Sequence, residues 1–302
     1  MAKYLICVGA AKAGTTLLYE LLRAHPALAI SSAKEVHYFD RCERPSKDSY
    51  DALFSGSGIK FDVTPIYMYD QQSMERIAKT LGAENVKVVV LLRDPVDRAL
   101  SHYNMVKGQG RETLSFEESF WAEPARIARG AEERRIHSYF ARGKYARQLD
   151  NIYRMFPRER VHVVMFEHFV KHQQQVVDGV TDFAGIARLR VQPLHANKTI
   201  VGYQCNWLAH VMQKVARKMP RALKVRCLRA LKGAIDRVND KPAPKEELSP
   251  AFARALYEAY RADIRALEAV YHLDTGQWKR VAACRGEEEG AKARGIGAPA
   301  KA

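Results

Sequence analysis

Residues 4 to 22 run from an apolar segment, Tyr4 to Val8, through Gly9-Ala10-Ala11-Lys12-Ala13-Gly14-Thr15-Thr16, into an amphipathic segment carrying Leu17, Leu18, Leu21 and Leu22. This order predicts a strand, a small-residue loop and a helix start, and it constrains the fold more than any other stretch. A helix N-terminus behind such a loop turns backbone N–H groups and the positive end of a dipole toward an anion. In the nucleotide-triphosphate loop G-x-x-x-x-G-K-[ST] the lysine follows the second glycine. Here Lys12 precedes Gly14, so this is a phosphate cradle of a different kind.

The rest of the chain predicts what surrounds the loop. A short strand is expected at Ala27 to Ser31 and another leading into Asp62-Val63-Thr64-Pro65, then a polar helix at Gln71 to Leu81 and the β-branched run Val86 to Leu92. Strands that are apolar throughout belong in parallel sheets covered on both faces. Helix Tyr145 to Phe156 then precedes a further strand, Val161 to Phe166. The alternation predicts an α/β fold, an open doubly wound parallel sheet with a P-loop-like phosphate-binding loop and flanking helices. From Trp207 onward apolar stripes at helical spacing predict a helical C-terminal part, about 205–284. With 302 residues, 47% of them hydrophobic, a single large domain over 1–284 is expected, and the Gly-, Ala- and charge-rich stretch 285–302 reads as a disordered tail.

Lys and Arg outnumber Asp and Glu by 49 to 34, a formal charge of +15. That surplus implies anionic ligands without choosing among nucleotides, sulfated sugars, nucleic acid and membranes. Five cysteines, Cys7, Cys42, Cys205, Cys227 and Cys284, are odd in number and lack C-x-x-C pairs, which argues against a disulfide or zinc framework. No apolar run approaches the roughly 20 residues that span a bilayer, and the first apolar run reads as a core strand rather than a signal sequence. A cytoplasmic protein is expected. The aromatic-basic interleaving of nucleic-acid binders is missing, so nucleic acid is not expected as a partner.

A second anion site is marked by Arg93-Asp94-Pro95-Val96-Asp97-Arg98-Ala99-Leu100-Ser101, directly after the strand that ends at Leu92. Asp94 as N-cap and Pro95 at the first helical position make a well-formed helix start. Arg93 stands at the carboxyl end of a central strand, where open α/β sheets bind ligands; a structural ion pair with Asp97 is the alternative. Ser101 follows two turns into the helix.

Two anion sites at two strand ends suit a nucleotide phosphorylated at both ends, and here the sequence resembles the sulfotransferase family that uses 3′-phosphoadenosine-5′-phosphosulfate (PAPS). The resemblance implies that Lys12, Ala13, Gly14, Thr15 and Thr16 hold the 5′-phosphosulfate and that Arg93 and Ser101 hold the 3′-phosphate. Glu35-Val36-His37-Tyr38-Phe39-Asp40 and Thr64-Pro65-x-Tyr67 are similar to segments of the heparan-sulfate branch that place the catalytic carboxylate and shape the acceptor cleft. Gly143-Lys144-Tyr145, Phe156-Pro157 and Ile264 to Trp278 are typical of the wider family, and Asn197-Lys198-Thr199 resembles its nucleotide-covering loop. Where the heparan branch carries a lysine before Ser/Thr-Pro, this chain has Val63; the nearest basic side chain in sequence is Lys60.

The chemistry implied is in-line sulfuryl transfer from PAPS to a hydroxyl or amine of a carbohydrate or small-molecule acceptor, leaving adenosine 3′,5′-bisphosphate, with no metal required. Charge builds on the leaving phosphate, where Lys12 and the helix N-terminus are aimed. Glu35 and His37 are the candidate general bases; in an extended segment they point to one face. Lys107 to Arg142 is expected as an acceptor lid or a solvated insertion. The basic run Arg217, Lys218, Arg221, Lys224, Arg226, Arg229 and Lys232 is a solvated helix face, or else docks to an anionic glycan or to a membrane as a peripheral contact. The competing classes are a P-loop phosphoryl-transfer kinase and a non-catalytic anion- or glycan-binding module.

Overall fold

Six strands pair in the order β3-β2-β4-β1-β5-β6. Two apolar runs far apart in sequence, β1 (Tyr4–Gly9) and β5 (Val86–Leu92), lie side by side at its centre, and nearly every residue in them is buried. The computed structural model describes residues 3–194 and 248–283. β2 (Leu28–Ser31), β4 (Ile59–Val63) and β6 (Val161–Met165) complete the parallel part; the two-residue β3 (Phe54–Ser55) runs antiparallel at the β2 edge. From β1 the chain moves outward to β2 and returns to β4. It then crosses β1 to reach β5 and β6, so the strand order reverses beside β1. In open α/β sheets that reversal opens a crevice at the carboxyl ends of the strands. The expected doubly wound α/β fold is what the chain adopts.

The described residues group into two compact units, one of 3–98, 142–194 and 253–283, the other of 99–141 and 248–252. The first holds the sheet, α1 (Thr15–Leu22), α2 (Lys47–Asp51) and α3 (Gln71–Leu81), the last where the polar helix was expected. α4 (Pro95–Gly108) starts in this unit, and Asp94 caps it as expected, its Oδ1 accepting the N–H groups of Val96 at 3.0 Å and Asp97 at 3.3 Å.

The second unit carries the rest of α4 with α5 (Phe116–Ile127) and α6 (Ala131–His137). Ser115 and Glu118 form a capping box at the start of α5. Buried Glu112 accepts from both terminal nitrogens of Arg126, at 2.5 and 3.1 Å, and from the Tyr139 hydroxyl at 2.9 Å. Phe116, Phe120, Phe140 and Phe252 stack edge to face. The stretch expected as a lid or solvated insertion therefore has its own aromatic core.

Back in the first unit, α7 (Tyr145–Met155), α8 (Phe166–Lys171) and α9 (Gln173–Ala184) flank β6. α10 (Pro250–Tyr271) belongs to the expected C-terminal helices. Its Asp263 accepts the first N–H groups of α7, from Tyr145 at 2.8 Å and Ala146 at 3.1 Å. The expected basic run 217–232, the loop Asn197-Lys198-Thr199 and the tail 285–302 lie outside the described residues.

Candidate active site

The site is built on the carboxyl ends of β1 and β5. These strands are neighbours, so the loop after Gly9 and the turn after Leu92 come together. Lys12 and Gly14 both take left-handed backbone conformations, φ 72° and 89°. At Gly14 a side chain is excluded twice, because a Cβ would also lie 2.8 Å from the Phe166 ring. Ala13 and Thr15 are buried and Thr16 is exposed. No side chain caps the N-terminus of α1, and its first turn carries no acidic residue. Its N–H groups and dipole therefore face the loop uncompensated, which is the condition for binding an anion there.

Arg93 donates through Nη1 to the Lys12 carbonyl at 3.1 Å, and its guanidinium lies 4.9 Å from the centre of the Phe166 ring. Tyr145 donates its hydroxyl to the Arg93 carbonyl at 2.9 Å, a positioning role for a fully buried ring. The ion pair weighed for Arg93 with Asp97 is not formed: Asp97 takes Arg280 Nε at 2.5 Å. Burial, followed by the nearby charges of Arg93 and Arg98, pushes the Lys12 ammonium down to about 8. Three cations this close repel one another, and a bound polyanion would relieve them. The residues present therefore fit a phosphate-bearing nucleotide. Ser101 lies half-buried in α4, within the second unit.

The segment after β2 brings Glu35, His37 and Asp40 together. His37 donates through Nδ1 to Asp40 at 3.0 Å and through Nε2 to Glu35 Oε2 at 3.2 Å. They meet as expected, for a different reason. His37 has φ 53°, so a left-handed turn and not strand alternation folds the imidazole back on Glu35. Hydrogen bonds to Asp40 and then Glu35 raise His37 to about 9, which keeps it an imidazolium at neutral pH.

β4 holds this segment from below. Thr64 Oγ1 accepts the Val36 N–H at 3.1 Å and donates to buried Asp62 at 2.6 Å, while the Tyr67 hydroxyl accepts the Tyr38 N–H at 2.9 Å. Asp62 also accepts from the Tyr50 hydroxyl at 2.9 Å, and burial pushes its carboxyl up to about 6. Val63 is buried, and Lys60 faces elsewhere, 3.5 Å from Asp51 and over the Tyr4 ring. The basic side chain that does reach the site is Lys34, 3.2 Å from Thr16 Oγ1 and 3.9 Å from Glu35 Oε1. Sequence reasoning passed over it; its place directly before Glu35 was the available signal.

A parallel α/β sheet with an uncapped helix N-terminus and crowded cations at its reversal point defines an anion-binding protein of the phosphate-loop class. The sulfotransferase domain model matches residues 3–224, so the chain belongs to the sulfotransferase family. It is 29% identical over 262 residues to human heparan sulfate glucosamine 3-O-sulfotransferase 6, covering 85% of this chain and 68% of that protein. With human heparan sulfate glucosamine 3-O-sulfotransferase 3B1 it shares 29% over 205 residues, covering 66% of this chain and only 50% of the relative. Among solved structures, a sulfotransferase from Alicyclobacillus acidocaldarius superposes with a TM-score of 0.67 at 26% identity, covering 92% of this chain and 99% of that one.

Proposed function

We propose that this chain transfers a sulfuryl group from PAPS to a hydroxyl or amine of a carbohydrate or small-molecule acceptor. The observation that carries the reading is the half-buried Lys12 ammonium, close to the charges of Arg93 and Arg98, at the uncapped start of α1. Bound PAPS supplies an activated sulfuryl group on a phosphate leaving group. Lys12, Gly14, Thr15 and Thr16, with the loop N–H groups, hold that 5′-phosphate and meet its growing charge. Arg93 and Ser101 are assigned the 3′-phosphate, and Asn197, Lys198 and Thr199 the cover of the nucleotide.

Glu35 is the general base. His37, an imidazolium clamped between Asp40 and Glu35, orients the Glu35 carboxylate and is not itself the base. The relatives' names point to a glucosamine-containing polysaccharide as one acceptor to try; the apolar side chain at Val63 makes a wider carbohydrate screen worthwhile.

Thermal shift with adenosine 3′,5′-bisphosphate against ADP, each with and without magnesium, tests the nucleotide assignment. Stabilisation by the bisphosphate without metal is expected. Stabilisation by ADP that requires magnesium would overturn it in favour of phosphoryl transfer. In the same assay Glu35→Gln should match wild type, while its sulfuryl transfer from PAPS to a carbohydrate panel falls by about two to four orders of magnitude.

A further inference from the structure

Lys34 lies between the two halves of the site. Its ammonium donates to Thr16 Oγ1 at 3.2 Å, on the phosphate-loop helix, and stands 3.9 Å from Glu35 Oε1, on the acceptor side. The side chain is only 16% exposed, and the ammonium sits 6.0 Å from the centre of the Tyr19 ring, which itself stacks on Phe61. A long flexible side chain is thus held at both ends of the path that a transferred group must travel. A surface lysine that merely neutralised its neighbour would have no reason to reach across to Thr16.

We propose that Lys34 is a further catalytic residue that binds the sulfuryl group itself, a role separate from that of Lys12 on the leaving phosphate. The inference rests on the PAPS reading above. In the step, the sulfur–oxygen bond to the 5′-phosphate breaks and its electron pair stays on the phosphate oxygen. The acceptor oxygen forms the new bond to sulfur, and its proton passes to Glu35. Charge on the equatorial sulfuryl oxygens lies between donor and acceptor throughout, within reach of an ammonium anchored at Thr16 and Glu35. Such a preorganised donor is worth most where it is shielded from water.

Adenosine 3′,5′-bisphosphate lacks the sulfuryl group that PAPS carries, so comparing the two by calorimetry isolates the contact. Lys34→Met is expected to weaken PAPS binding about 10-fold, as loss of a charge-assisted hydrogen bond does, and to change bisphosphate binding less than about 3-fold. Release of bisphosphate from PAPS, with water or a carbohydrate as acceptor, should fall by about 10²–10³-fold. Lys34→Arg, which keeps the charge, should restore the preference for PAPS. Should Lys34→Met prove unstable, Lys34→Gln carries the same comparison. Equal losses for both ligands would make Lys34 a structural support of the loop, and no loss for either would make it a bystander; both overturn the assignment. Failure of the wild-type protein to bind either nucleotide would instead overturn the PAPS reading.

Discussion

At the scale of single residues, environment selects function among side chains that look alike in a sequence. Lys12 and Lys60 are both half-buried lysines in or next to strands, yet one lies close to the charges of Arg93 and Arg98 and the other pairs with Asp51. His37 carries a pH signature. Its folded value is raised to about 9 from an ordinary 6.5, so its contribution to stability is fully present below pH 6.5 and is lost as pH rises through about 9. Asp40 and Glu35 remain the partners across that window. Denaturant unfolding at pH 6 and at pH 9.5 should show wild type more stable than His37→Gln at the lower pH, with the gap closing at the higher. A gap independent of pH would mean the imidazole is not charged in the folded protein.

At the scale of elements, the segment Glu35 to Asp40 is irregular and depends on β4 and the residues just after it for its shape. Thr64 is the joint: its hydroxyl proton goes to Asp62, which leaves its lone pairs for the Val36 N–H. Thr64→Val keeps the shape of the side chain but orphans a buried carboxylate contact and a backbone donor. The expected cost is about 1–3 kcal/mol by denaturant unfolding, with Thr64→Ser retaining most of the stability. If Val and Ser variants unfold alike, the hydroxyl is not the joint. The helices and strands of this region were legible in advance because their side-chain patterns and end signals are local, as the bounds of α3 and β5 show. The turn at His37 was not, since a positive φ at a non-glycine residue is imposed by the Asp40 and Glu35 contacts it makes possible.

At the scale of the molecule, the site depends on parts of the chain far apart in sequence. The first unit brings Trp278 under Tyr145, ring centres 6.2 Å apart, while the neighbouring Arg280 N–H donates to Asp94 at 3.2 Å. Residues 275–283 thus brace the turn that carries Arg93. Trp278 is fully buried, and its indole N–H has no partner among the described residues. Trp278→Ala should cost about 3–5 kcal/mol, read from the unfolding midpoint. Trp278→Phe should cost less, because it removes that orphaned donor along with the volume. Equal costs would show that the indole N–H finds a partner.

By itself the sequence determined the strand-loop-helix cradle, the parallel α/β alternation and the positions of Lys12, Glu35 and Arg93, because periodicity, capping and turn chemistry are local. It also carried the family resemblance that the domain match bears out. Only the tertiary structure decided which cations crowd Lys12, that Asp97 belongs to Arg280 and not to Arg93, that His37 is held as an imidazolium, and that Lys34 and not Lys60 reaches the site. Most of those facts depend on distances between side chains carried by loops and helices that leave different strands, and the His37 contacts on a turn that no local pattern announces. Distance across a sheet is set by strand order, and strand order is a property of the packed whole.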